Sequence, residues 1–468
     1  MIVEQLYTKC LAEAAYFIAS NGEAAVIDPL REPEPYLELA AKHGAEIKYI
    51  FETHFHADFV SGHLDLARKT GAQIVYGPTA VPGFNAHVAS DNEIFNLGEL
   101  RIKLLHTPGH TLESSTYLLI DEQGQDQAIF TGDTLFLGDV GRPDLAVKSD
   151  LGLYDLAGLL YDSLRKKIWP LADEVTIYPG HGQGSACGKK MSAEKVGTLG
   201  SQKKTNYALN PALTKDQFIE LVTADLVAPP QYFPKNALLN RLGYSSLDVV
   251  LKRGLVALEA EDFENMASKD EVLVIDTRSA AQFAAGHVPG SLFIGLEGSF
   301  APWVGALVED IETPILFIAE EGREEEVVTR LARVGYDSTV GYLQGGIDAW
   351  KASGRKLRKI EELRPRDLAD LPDKEVHLLD VRKESEYESQ HVVGAVNFPL
   401  DTINSTLKEL DKERTYHLYC QGGYRSMIAC SILLANGFRQ VINTQRGFEG
   451  LKETNLVLSA YKEPVTML

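Results

Sequence analysis

Residues 48–59 read KYIFETHFHADF, a β-branched and aromatic run that breaks into a loop carrying His54, His56 and Asp58. Three side chains able to ligate a metal lie within five residues on a loop fixed by a strand, so their donors can converge on one ion. The arrangement recurs downstream. TPGHT supplies His110 after the run IKLLH, TGDTLF supplies Asp133 after QAIF, and YPGHG supplies His181 after EVTI. Lone histidines such as His43 or His87 read as ordinary surface or core residues. Repeated strand-then-ligand placement instead reads as a metal centre along one edge of a layered structure.

Around these loops, residues 1 to about 200 alternate short strand-like runs (AAVID, QIVYG, STYLLID) with helical periods at 33–44 and 61–71, each closed by a glycine. The spacing predicts mixed α and β structure. A helical segment near 215–227 and the turn-rich APPQYFPKN form an arm, with a boundary near residue 250. The remainder repeats itself. VLVIDTRSAAQFAAGHVPGS at 272–291 matches HLLDVRKESEYESQHVVGAV at 377–396, pairing Asp276 with Asp380 and His287 with His391. Each copy spans about a hundred residues and reads as an open α/β layer with its functional loop at the carboxyl ends of the strands.

Composition narrows the function. Lys plus Arg total 46 against 66 Asp plus Glu, a net charge of −20 over 468 residues, which speaks against nucleic-acid or anionic-membrane binding. No apolar run approaches the ~18 residues that span a bilayer. Residues 1–11 lack a basic n-region and an apolar h-region, and four scattered cysteines make no disulfide framework. The expectation is a cytoplasmic protein that acts on small molecules and forms a homo-oligomer.

Through THFHADF, TPGHT, TGDT and YPGHG, residues 1–200 resemble the metallo-β-lactamase fold, whose usual signature is H-x-H-x-D-H. Phe59 stands at the last position. In dinuclear members the resemblance implies one metal on the equivalents of His54, His56 and His110, Asp133 bridging, and a second on Asp58, the absent histidine and His181. Phenylalanine has no lone pair to donate, so a second site is expected to be crippled. His54, His110 and Asp133 remain as two imidazoles and a carboxylate, the ligand set of mononuclear non-haem Fe(II) oxygenases. The domain looks like the persulfide dioxygenase branch, which implies one Fe(II) per chain on that triad, with His56, Asp58 and His181 orienting ligands or substrate. LFLGDVGRPDL is similar to a GR-x-D segment of the same branch. There Arg142 either meets the carboxylate of a thiol carrier or simply pairs with Asp144. Cys187, six residues after His181, is close enough to approach the metal pocket or to be a packing residue.

In the second repeat the strand YHLYC delivers Cys420 into CQGGYRS. Gly422 and Gly423 let successive amides curl around one sulfur, the following helix points its N-terminus there, and Arg425 adds a cation, all favouring a thiolate or anionic persulfide. The first repeat reads ILFIAEEGREEEV, with Ala319 at the nucleophile position and acids at 320, 321 and 324–326. Both repeats resemble rhodanese domains. Without a thiol, the first is expected to be a degenerate spacer or docking module.

The expected fold class is α/β: an αββα metallo-β-lactamase sandwich with a helical arm over 1–250, a degenerate rhodanese domain over 251–358 and an active one over 359–468. The expected function is Fe(II)-dependent oxidation of a low-molecular-weight thiol persulfide by O2 to sulfite, with Cys420 and Arg425 catalysing sulfur transfer that turns sulfite into thiosulfate. Two rivals stand beside it. One is a mononuclear zinc thioesterase like glyoxalase II, using His54, His56 and His110; the other is a non-catalytic sulfur carrier in which only Cys420 matters.

Overall fold

The strand Glu13–Ser20, EAAYFIAS, is buried along its whole length. Because successive side chains point to opposite faces, it feeds two cores at once. Tyr16 and Ile18 enter one, while Ala15, Phe17 and Ala19 enter the other. The computed structural model describes residues 1–145, 151–226, 228–372 and 376–463. Two six-stranded sheets make the first part. One runs Ile2–Thr8, Glu13–Ser20, Glu23–Ile27, Glu46–Phe51, Gln73–Tyr76, His87–Val88 in spatial order; the other runs Gly197–Thr198, Thr176–Pro179, Asp126–Gly132, Ser115–Ile120, Leu100–His106, Ile94–Leu97. Tyr16, Phe51, Phe95, Tyr117 and Phe130 interlock in one core drawn from both sheets. Their rings meet edge-on or tilted, as in Tyr16 to Phe130 at 5.0 Å and Phe51 to Tyr117 at 4.7 Å.

Helices cover the outer faces. Glu34–Lys42 and His63–Thr70 place Tyr36 and Leu66 against the first sheet, and Leu153–Ser163 and Lys215–Thr223 place Leu160 and Phe218 against the second. Each such fully buried side chain contributes about 1.5–3 kcal/mol. The αββα sandwich expected from sequence is present. The parallel register between Asp126–Gly132 and Thr176–Pro179 shifts between Phe130 and Gly132, immediately before Asp133. Such an irregularity re-aims the residue that follows it.

Two features depart from the sequence reading. An N-terminal hairpin, Ile2–Thr8 with Glu13–Ser20, precedes the first strand recognised there. The stretch read as turn-rich starts a helix, Phe233–Leu242, with Pro234 in its first turn, where the missing N–H costs nothing.

By packing, the chain divides into two units, Met1–Leu247 with Ala332–Gly335, and Asp248–Leu331 with the chain from Tyr336 onward. The second holds two five-stranded parallel sheets of one topology. They run Ala257–Leu258, Thr339–Leu343, Ile315–Ile318, Leu273–Asp276, Leu292–Phe293, and Glu361–Leu363, Gln440–Thr444, Thr415–Tyr419, Leu378–Asp380, Val396–Asn397. The repeat seen in sequence is thus a repeat in structure. Among the described residues no helix is long and apolar enough to cross a membrane.

Candidate functional site

Four loops at strand ends bring the ligand candidates together. Donor atoms of His54, His110 and Asp133 lie within 4.8 Å of one another, all buried. The hydrogen bonds around them decide which lone pairs stay free. Thr53 Oγ1 donates to Asp28 Oδ2 at 2.8 Å, so its 2.9 Å contact with His54 Nδ1 is a donation from the ring, leaving Nε2 as acceptor. His110 Nδ1 donates to the Arg142 carbonyl at 2.9 Å, leaving Nε2. Asp133 Oδ1 accepts from His181 Nδ1 at 2.7 Å, and Asp133 Oδ2, 3.5 Å from His110 Nε2, has no hydrogen-bond partner. Two imidazoles braced through their far nitrogens and one orphaned carboxylate oxygen form a set suited to a divalent metal. Gly141 permits the approach, since a Cβ there would stand 2.0 Å from the Asp133 carbonyl oxygen.

The charges fit a cation. Burial would raise the Asp133 carboxyl, but His181, His110 and His54 hold it well below the usual carboxylate range. Burial and His56 push the His54 imidazole well down. His181, opposed by burial but flanked by Asp133 and Asp58, is raised well above its ordinary value. His56 Nε2 faces Asp28 Oδ1 at 3.0 Å and Glu52 Oε2 at 3.5 Å, and neither ring nitrogen makes a well-aligned hydrogen bond.

Asp58, His181 and Cys187 form a second buried group with donors within 4.8 Å. His181 Nε2 meets Asp58 Oδ2 at 2.7 Å. Burial, Asp58 and Asp133 raise the Cys187 thiol, so without a cation it stays protonated. Phe59 is fully buried against His56, ring centroids 4.3 Å apart. The expectation of a crippled second set counted only Asp58 and His181; the structure adds the Cys187 sulfur to them. Arg142 grips Asp144 through Nε at 2.7 Å and Nη2 at 2.6 Å, its Nη1 donates to the Ala186 carbonyl at 3.3 Å, and its backbone N–H donates to the Cys187 carbonyl at 3.0 Å. It ties the His110 bracket to the Cys187 loop.

In the second unit Cys420 ends Thr415–Tyr419 and precedes the helix Tyr424–Ala435. The Gly423 N–H donates to Cys420 Sγ at 3.1 Å, and Ser426 Oγ lies 3.6 Å from it. Gly423 has φ +104, a conformation that favours glycine and turns its N–H onto the sulfur. Arg425 is held by Glu386 in a two-pronged pair at 2.5 and 2.8 Å, so its charge is shared with a carboxylate. Ala319 occupies the corresponding strand end of the first copy.

Residues 8–181 match the model of the Metallo-beta-lactamase superfamily. The probable hydroxyacylglutathione hydrolase glo2 of Schizosaccharomyces pombe is 31% identical over 198 residues, covering 42% of this chain and 72% of its own length. The chain belongs to the metallo-beta-lactamase superfamily. The cytoplasmic hydroxyacylglutathione hydrolase of Arabidopsis thaliana is 32% identical over 164 residues, covering 35% of this chain and 60% of that protein. A crystal structure of a metallo-beta-lactamase from Staphylococcus aureus subsp. aureus COL aligns with TM-score 0.64 at 31% identity, covering 74% of this chain and 98% of that one. Residues 259–353 and 365–454 match the Rhodanese-like domain.

Within the metallo-beta-lactamase domain, every ligand candidate read from sequence lies in one of the two buried groups except His56, which joins Asp28 and Glu52 in a third. Asp28 and Thr53, which brace His54, escaped the sequence reading. Asp28 ends the strand-like AAVID, so the strand-then-acid pattern carried the signal. In the second rhodanese-like domain Glu386 was missed, because nothing local pairs it with Arg425 across 39 positions.

Proposed function

We propose that the chain is a non-haem Fe(II) persulfide dioxygenase fused to a rhodanese sulfurtransferase. The observation that carries the reading is the His54, His110 and Asp133 group, with the free lone pair of each turned inward, in the same chain as an intact Cys420 loop. Imidazole and carboxylate suit Fe(II) while leaving positions open. When bound, the metal supplies activation of dioxygen toward a persulfide sulfur. The protein braces His54 through Thr53 and Asp28, braces His110 through Arg142, and keeps Asp133 ionised. His181 bridges Asp133 and Asp58 and holds a proton between them.

At the other site Cys420 accepts a sulfane sulfur and passes it to sulfite. Sulfite attacks the outer sulfur of the Cys420 persulfide, the S–S bond breaks toward Cys420, and thiosulfate leaves, with the thiolate again facing the Gly423 amide. The product of the first chemistry is the acceptor of the second.

A second reading, hydrolysis at a dinuclear centre, is favoured by Cys187 beside Asp58 and His181 and by the hydroxyacylglutathione hydrolases among the relatives. Metal analysis of anaerobically purified protein with oxygen-uptake assays separates the two. About one iron per chain and persulfide-dependent oxygen consumption support the dioxygenase; two tightly bound zincs and oxygen-independent thioester cleavage support the hydrolase.

A further inference from the structure

The first rhodanese-like copy has no thiol, yet it stands at the nucleophile of the second. A cavity of about 270 Å3 is lined by Cys420, Gly422, Tyr424 and Arg425 of the second copy and by Ser299 and Trp303 of the first. Ser299 immediately precedes, and Trp303 lies on, the helix Phe300–Leu307. That helix and the Cys420 loop belong to one packed unit. Tyr424 Oη donates to the Gly295 carbonyl at 2.8 Å, and its ring meets Phe293 edge-on at 5.7 Å. The Phe293 N–H donates to Ser431 Oγ at 3.0 Å, and Asn404 Nδ2 donates to the Leu307 carbonyl at 3.0 Å. A Cβ at Gly298 would stand 2.3 Å from the Tyr424 ring. A wall so braced is preformed and does not have to close over a ligand.

Its chemistry selects a class of ligand. A water's share of liquid volume is about 30 Å3, so an oxyanion of four or five heavy atoms leaves a large part of the cavity empty. The aromatic side chains of Trp303 and Tyr424 in the lining have little to offer such an ion, but they suit the organic part of a larger sulfur donor. We propose that Ser299 and Trp303 are specificity-determining residues of the Cys420 site, and that they select a low-molecular-weight organic persulfide as its sulfur donor. The step conserves atoms and charge. The Cys420 thiolate attacks the outer sulfur of R–S–S⁻, the donor's S–S bond breaks, R–S⁻ leaves, and Cys420 carries the persulfide. The degenerate copy is on this account part of a binding site. The inference rests on the sulfurtransferase reading of Cys420.

The test compares kcat/KM for glutathione persulfide with that for thiosulfate, cyanide accepting the sulfur in both cases, in full-length wild-type, Trp303→Ala, Trp303→Phe and Ser299→Ala proteins. Loss of one aromatic wall, at about 1.4 kcal/mol per factor of ten, should lower the organic-to-inorganic ratio about tenfold in Trp303→Ala. The loss should sit in KM for glutathione persulfide, with Trp303→Phe restoring most of the ratio and Ser299→Ala giving a smaller fall. A ratio that is unchanged or raised in Trp303→Ala overturns the proposal. If that variant fails to fold, Trp303→Leu, which removes the aromatic ring and keeps an apolar side chain, takes its place, and an unchanged ratio there overturns the proposal equally. Wild-type protein that transfers sulfur from neither donor would overturn the sulfurtransferase reading and this inference together.

Discussion

At the scale of single residues, the metal centre depends on which nitrogen of each histidine is left free. His54 and His110 each give their far nitrogen to a fixed acceptor, and Asp133 keeps one oxygen without a partner. Changing His110 or Asp133 to Ala should therefore abolish both iron content, read by elemental analysis, and oxygen uptake. His56 differs, being held by Asp28 and Glu52. His56→Ala should cost activity by about 10- to 100-fold, typical of a partner behind the ligands, while keeping most of the metal. An empty site in that variant would make His56 a ligand and overturn the triad. The sequence displayed these ligands because each follows its own strand. It put Cys187 within reach of the metal pocket, six residues after His181, but not beside Asp58, which stands 129 positions earlier, since only the completed sandwich brings those two loops together.

At the scale of elements, alternating or bounded apolar runs were legible and continuous burial was not. EAAYFIAS is buried on both faces and small on half its positions, so it shows no period to read. The helix at Phe233 was hidden by prolines that mark turns as often as helix starts. The repeat was legible, down to the Asp276–Arg278 and Asp380–Arg382 pairs, each at 2.6 Å. The partnership between the copies was not, because Trp303 and Cys420 share a cavity only after both sheets exist. The first copy also carries a pH-dependent element. His287 is buried, stacked on Phe283 at 4.0 Å, and donates from Nδ1 to the Phe283 carbonyl. Burial, with Arg358 and Arg278 nearby, pushes its imidazole down to about 4 from 6.5, against the pull of the carbonyl. Below pH 6.5 the unfolded chain takes up a proton that the folded chain refuses, so this stability is complete above 6.5 and is lost as pH falls toward 4. Between pH 7.5 and 5 the loss should be about 2 kcal/mol. Hydrogen exchange in Leu273–Asp276 across that range should show a steeper fall for wild type than for His287→Gln; parallel profiles would refute the assignment.

At the scale of the whole molecule, one chain joins a metallo-beta-lactamase domain to two rhodanese-like domains, and the proposed function makes sulfite the intermediate between them. The central claim is that the metal group makes sulfite and Cys420 consumes it. Changing Cys420 to Ser keeps the loop's size and removes the nucleophile that faces the Gly423 amide. The direct measurement is chromatographic quantification of sulfite and thiosulfate, after thiol trapping, from iron-loaded wild-type and Cys420→Ser protein given glutathione persulfide and oxygen. The account predicts undiminished oxygen uptake in both, with thiosulfate from the wild type and sulfite from the variant. Thiosulfate from Cys420→Ser at the wild-type ratio, or no persulfide-dependent oxygen uptake by either protein, would contradict it.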